Sequence, residues 1–149
     1  LAITESLIER EGAMGSDILK GVCLCGGVAY RADGPVFHAS HCYCTMCQKQ
    51  HGAGAGSYAN VGSAGFAFER GADLVTEYAS SEDGRRGFCS VCGSTLFWRS
   101  TQSRDRIAIT LGTLEPEYDG TVERELYTDT KPRWLPTRQA GAGDQGGDD

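Results

Sequence analysis

"GVCLCGG", residues 21–27, sets two cysteines one residue apart and follows them with two glycines. In an extended chain Cys23 and Cys25 point to the same side, and Gly26 and Gly27 let the backbone curl close to a sulfur. A second knuckle, "FCSVCGS" at residues 88–94, holds Cys89 and Cys92 with Gly93 behind them. Two such pairs from distant parts of a chain make a tetrahedral four-cysteine zinc site. Four thiolates leave no coordination position open, so the ion staples the strand near the start to the strand near residue 90 and serves architecture. Its binding energy, on the order of 10 kcal/mol in small zinc modules, is partly folding energy. Buried cysteines without a ligated ion are the plainer alternative, which the two paired spacings argue against.

Around these knuckles the apolar residues come in short alternating or aromatic-rich runs. They are "GVAYRAD", "GSYANV", "FAFER", "LVTEYAS", "TLFWRS", "RIAITLGTL" and "VERELYT", separated by Gly, Asp, Ser and Pro. Period-two runs with such punctuation predict a mainly β domain. Within it, only "CTMCQKQHG", residues 44–52, reads as a short helix, with Gly52 suited to its C-terminal cap. "ITESLIERE", residues 3–11, is weakly amphipathic, and Met14 begins a natural opening for the domain, so residues 1–18 read as an N-terminal extension, in part non-native. Residues 19–136 form the expected domain. "TRQAGAGDQGGDD", residues 137–149, holds too few apolar residues to offset the entropy of ordering and reads as a disordered acidic tail.

With 149 residues and 40% apolar content, the chain suits one domain with a modest core. A net charge of −6 repels phosphate backbones and anionic lipid, so neither nucleic acid nor a membrane is expected as a partner. Seven cysteines with no signal-like apolar run before them point to reduced thiols holding metal in the cytoplasm.

"HASHCYCTMCQKQHGAGAG", residues 38–56, carries the other three cysteines and every histidine of the chain. Cys42, Cys44 and Cys47 are close enough to share one ion, and three sulfurs leave its fourth position for water or substrate, which is what chemistry needs. Closure of that position by His38, His41 or His51 is the alternative. A redox thiol pair is a second, disfavoured because no thioredoxin-like βαβ pattern surrounds the triplet. Three thiolates on a divalent ion leave a charge of −1, a weaker Lewis acid than zinc on three neutral histidines and a softer one, suited to sulfur. Binding a further anion there requires cations, for which Lys49, Arg85 and Arg86 are the candidates.

"LKGVCLCGGVAY", "HCYCTMCQKQHGAG", "SSEDGRRGFCSVCGSTLFW" and "DTKPRW" resemble the successive motifs of the glutathione-dependent formaldehyde-activating enzyme (GFA) family, which also includes centromere protein V. The resemblance covers residues 19–136. It implies a zinc-stabilised β-fold of the Mss-four-like class. It also implies two zinc ions, a structural one on Cys23, Cys25, Cys89 and Cys92 and a catalytic one on Cys42, Cys44 and Cys47. The implied activity is that of a carbon–sulfur lyase acting on a small thiol–aldehyde adduct such as S-hydroxymethylglutathione, with glutathione as the thiol. The chain departs from the family pattern at Tyr43, where histidine is common. A non-catalytic zinc-stabilised binding module is the competing expectation. A methionine sulfoxide reductase of similar fold would need a free cysteine, and all seven belong to metal motifs.

Overall fold

The computed structural model describes residues 18–135. All but the last residue of the N-terminal extension read over residues 1–18, and the 137–149 tail, lie outside the described residues. Among the described residues, ten strands and one α-helix, α1 (Thr45–His51), make up the regular structure besides short 3-10 turns. Strands β1 (Ile18–Val22), β2 (Ala29–Asp33) and β5 (Phe66–Arg70) form a small antiparallel sheet in the order β1-β2-β5. The larger sheet contains β3 (Val36–Cys42), β4 (Gly56–Gly62), β6 (Val75–Ala79), β7 (Gly84–Cys89), β8 (Thr95–Ser100), β9 (Arg106–Thr110) and β10 (Arg124–Leu126). Its order is β10-β3-β4-β9-β8-β7-β6, antiparallel except where β10 runs parallel to β3. The mainly β architecture with one short helix agrees with the sequence reading.

Alternation divides the large sheet into two working faces. Ala59 and Val61 on β4 and Ile107 and Ile109 on β9 join the core shared with Tyr30 and Ala32 of the small sheet. Phe66 and Phe68 of β5 close this core against Phe97, with ring centroids 5.8 and 6.3 Å away. Such aromatic pairs add about 0.5–1.5 kcal/mol each beyond their buried area. The residues between, Tyr58, Asn60 and Ala108, turn to the opposite face and line a cavity there.

A register shift between β7 and β8 adjusts this pattern: Gly87 faces Phe97 and Phe88 faces Thr95, so Leu96 is the extra residue of a bulge. Leu96 and Phe97 consequently both enter the core, while Trp98 lines the cavity. Gly87 makes this possible, since a Cβ there would lie 2.2 Å from the tip of the Phe97 ring. Gly87→Ala must displace that ring from the Phe66 and Phe68 cluster, with an expected loss of about 1–3 kcal/mol in urea unfolding. A Phe97→Leu background, which removes the obstructing ring, should reduce the penalty. An equal penalty in both backgrounds would show that the ring is not the cause.

Candidate functional site

The four-cysteine cluster joins the two sheets. Cys23 and Cys25 lie in the turn between β1 and β2, Cys89 ends β7, and Cys92 lies in the turn to β8. The four sulfurs lie within 4.8 Å of one another. Cys23 and Cys25 Sγ are 3.5 Å apart, and Cys25 and Cys89 Sγ 3.9 Å. Sulfurs placed tetrahedrally at about 2.3 Å from an ion would be about 3.8 Å apart, so the donor set and its spacing fit a metal.

The backbone curls round these sulfurs in the same way on both sides. Gly26, at φ 80°, donates its N–H to Cys23 O at 3.0 Å, and Gly93, at φ 81°, donates to Cys89 O at 2.8 Å. Both glycines stand where L side chains are strained. The N–H groups of Val28 and Gly27 point at Cys23 and Cys25 Sγ, at 3.2 and 3.4 Å. Ser94 ties the two knuckles together, its Oγ accepting from Leu24 N at 2.8 Å and lying 3.3 Å from Cys92 Sγ. Its side chain and backbone hold the Cys92 thiol down to about 5. Sequence reasoning missed Ser94, whose only signal was its place just behind the knuckle glycine.

The second cluster sits where β3 runs into α1. Cys42 ends β3, Cys44 is the N-cap of α1, and Cys47 occupies its first turn, the three sulfurs lying within 4.8 Å of one another. Cys44 Sγ accepts the Cys47 N–H at 3.3 Å, doing the work of a serine cap with a softer atom. At the other end Gly52 adopts φ 60°, as a left-handed cap requires.

Arg86 is the cation at this cluster. It is 4% exposed, and its guanidinium reaches Cys47 Sγ at 3.5 Å, Gln50 Oε1 at 3.0 Å and Ser80 Oγ at 2.9 Å. Tyr58 Oη lies 3.6 Å from Cys47 Sγ and 2.8 Å from His51 Nε2. The Cys42 thiol, opposed by burial and aided by Arg86 and Tyr58, holds Cys47 down to about 4. Cys42 moves upward in turn, through its partnership with Cys47 and through burial. Arg86 and Tyr58 thus both favour the charged form of Cys47, against its burial.

None of the three histidines completes the cluster with a ring nitrogen within 4.8 Å of all three sulfurs. His41 Nδ1 is 2.8 Å from Ser57 Oγ, and His51 faces Tyr58. His38 lines the cavity beside Arg106 and Arg124, and burial first, then those two cations, lower its pKa. Tyr43, between the first two cysteines of the triplet, is engaged away from the sulfurs. Its hydroxyl donates to Glu125 Oε1 at 2.7 Å, and its carbonyl accepts from Gln48 and Thr130.

The cavity above these sulfurs has a volume of about 550 Å³. Alternate residues of neighbouring strands face it: Ser40 and Cys42 from β3, Tyr58 and Asn60 from β4, Arg106 and Ala108 from β9, and Arg124 and Leu126 from β10. Trp98 and Arg86 add to the wall, and no aspartate or glutamate among the described residues lines it. Of the cations expected from the sequence, the structure brings Arg86 to the sulfurs. Lys49 is exposed on α1 and does not line the cavity. Arg85 turns to the other side of β7, where its Nη1 donates to the carbonyls of Ser81, Glu82 and Gly84. Adjacent strand residues face opposite ways, so Arg85 and Arg86 could not both reach the site. Tyr58, Asn60, Trp98, Arg106 and Arg124 were not legible as site residues, because strand register alone assembles them.

Two sulfur clusters that could each hold a metal ion, Arg86 on Cys47 and the cavity above them make up the candidate site. A search of curated proteins finds none that matches the chain. A solved structure of a Rhodobacter sphaeroides protein is similar with a TM-score of 0.59 and 21% identity, covering 71% of this chain and 98% of that one, a likeness of fold. The model of the glutathione-dependent formaldehyde-activating enzyme family matches residues 18–130, a span that holds both cysteine clusters and every residue of the cavity wall, and the chain belongs to that family.

Proposed function

We propose that the protein is a zinc-dependent carbon–sulfur lyase acting on a small thiol–aldehyde adduct such as S-hydroxymethylglutathione. The observation that carries this reading is the three-sulfur cluster opening into a walled cavity with Arg86 bonded to Cys47. Cys23, Cys25, Cys89 and Cys92 would hold the structural zinc, and Cys42, Cys44 and Cys47 the second ion. When bound, zinc supplies a soft Lewis acid that favours sulfur and stabilises negative charge on the adduct oxygen.

The chain's own residues supply charge balance and position. Three thiolates and a divalent ion sum to −1, and buried Arg86 brings the local charge to zero, so an anionic thiol can approach without meeting a net negative centre. Tyr58, held by His51, presents a hydroxyl at the cavity floor beside Cys47. The indole of Trp98 forms an apolar wall that limits water around the reacting groups. In the synthetic direction the thiol sulfur bonds to the aldehyde carbon while the carbonyl oxygen gains a proton and the thiol loses one. The lyase direction reverses both changes. A histidine-closed triplet would have favoured the binding-module reading, and the engagement of His41 and His51 elsewhere supports the open one.

Metal quantification with X-ray absorption, paired with exchange NMR of formaldehyde and its glutathione adduct, tests this reading. The expected result is two zinc ions per chain, one with four sulfurs and one with three, and adduct exchange faster than the uncatalysed rate. Fully metallated protein that leaves the exchange rate unchanged would favour the binding module.

A further inference from the structure

The cavity has a second pole. Arg106 and Arg124 face it across the wall from β9 and β10, and no carboxylate among the described residues lines it. Arg86 is already engaged by Cys47, Gln50 and Ser80. The other two arginines retain free hydrogen-bonding capacity. Arg106 donates to Asn60 Oδ1, and its guanidinium carbon lies 5.9 Å from the centre of the Trp98 ring. The Arg124 guanidinium has no hydrogen bond or ion pair among the described residues. Glu123, the nearby acid, does not line the cavity and accepts from the Ala39 N–H at 3.1 Å. Two arginines facing a cavity with no acid among its described lining are unexpected in a chain of net charge −6, unless the cavity receives an anion.

We infer that Arg106 and Arg124 form a carboxylate-binding subsite that selects thiols whose acid group stands well away from the sulfur. The inference rests on the thiol-handling reading above and deepens it. Strand geometry supplies the ruler. Arg124 lies opposite Ser40, and Asn60, the partner of Arg106, lies opposite His38. At about 3.3 Å per residue, Ser40 and His38 stand about 7 and about 13 Å along β3 from Cys42. The carboxylate of free cysteine, joined through two carbons, extends only about 4 Å from its sulfur. A peptide thiol with terminal carboxylates spans the gap, and guanidinium groups hold such carboxylates by paired, charge-assisted hydrogen bonds.

Calorimetry of the metal-loaded protein with glutathione, glutathione diethyl ester and free cysteine tests the subsite. Glutathione should bind at least about tenfold more tightly than its ester, as expected for losing a charge-assisted contact. Arg106→Gln and Arg124→Gln should each weaken glutathione about tenfold, leave the ester unchanged, and retain wild-type metal content. Lys49→Ala, outside the cavity, should change neither. The wild-type comparison of acid with ester decides the matter even where an arginine variant fails to fold. Equal affinity for acid and ester overturns the subsite and leaves the thiol-handling reading standing. No binding of any of the three overturns both together.

Discussion

Cys23→Ser or Cys92→Ser is expected to remove one metal ion per chain and abolish cooperative thermal unfolding. The knuckle at Cys23 and Cys25 closes a hairpin of the small sheet, and the knuckle at Cys89 and Cys92 closes a hairpin of the large one. An ion held by all four sulfurs is thus a cross-link between the two sheets, anchored through Cys23 and Cys89 in the core itself. Its contribution, on the order of 10 kcal/mol, matches the whole net stability of a typical domain, about 5–15 kcal/mol. The hydrogen bond from Leu24 N to Ser94 Oγ also joins the two turns, but one such bond contributes only about 1 kcal/mol. Circular dichroism melts with metal analysis would read the outcome. A melt like that of the wild type with one ion gone would show that the sheets hold together unaided.

Cys47→Ser should act in the opposite manner, with activity lost and the fold kept. Cys47 belongs to a seven-residue helix packed on the cavity face, away from the aromatic core around Phe66 and Phe97. Its removal takes a sulfur from the cluster and leaves buried Arg86 with Gln50 and Ser80 alone. If the lost ion supplies about 4 kcal/mol of charge stabilisation in the reaction, adduct exchange falls roughly a thousandfold. A destabilisation of about 1–2 kcal/mol lowers the melting temperature by only about 3–8 °C. Metal analysis should show one ion retained. Two ions in the variant would remove Cys47 from the ligand set.

Both outcomes follow from cysteine spacing, which was the most legible part of the sequence. The seven alternating runs each carry a strand, from β2 to β10, because side chains of period two bury one face in any sheet. β1, β3 and β7 gave no comparable signal. β3 reads "VFHASHC", whose polar His38 and Ser40 face the cavity where a core strand would have apolar residues. β7 reads "GRRGFC", with glycines that a strand ordinarily avoids. Gly87 is there to make room for Phe97, and Arg86 to meet Cys47, so tertiary contacts override propensity at both positions. Arg106 and Arg124 were hidden for another reason. They line one cavity only because β10 pairs in parallel with β3, β3 with β4 and β4 with β9, a register that no local pattern records.

β7 concentrates three duties in four consecutive residues. Arg86 serves the cavity, Gly87 admits the core aromatic, and Cys89 closes the cross-link. Because side chains alternate strictly, one inserted residue between Arg86 and Cys89 would turn either the guanidinium or the thiol to the wrong face. Chain length here is therefore as constrained as residue identity. Divergence within β7 can proceed by exchange of residues such as Arg85, whereas insertions and deletions should be confined to the loops.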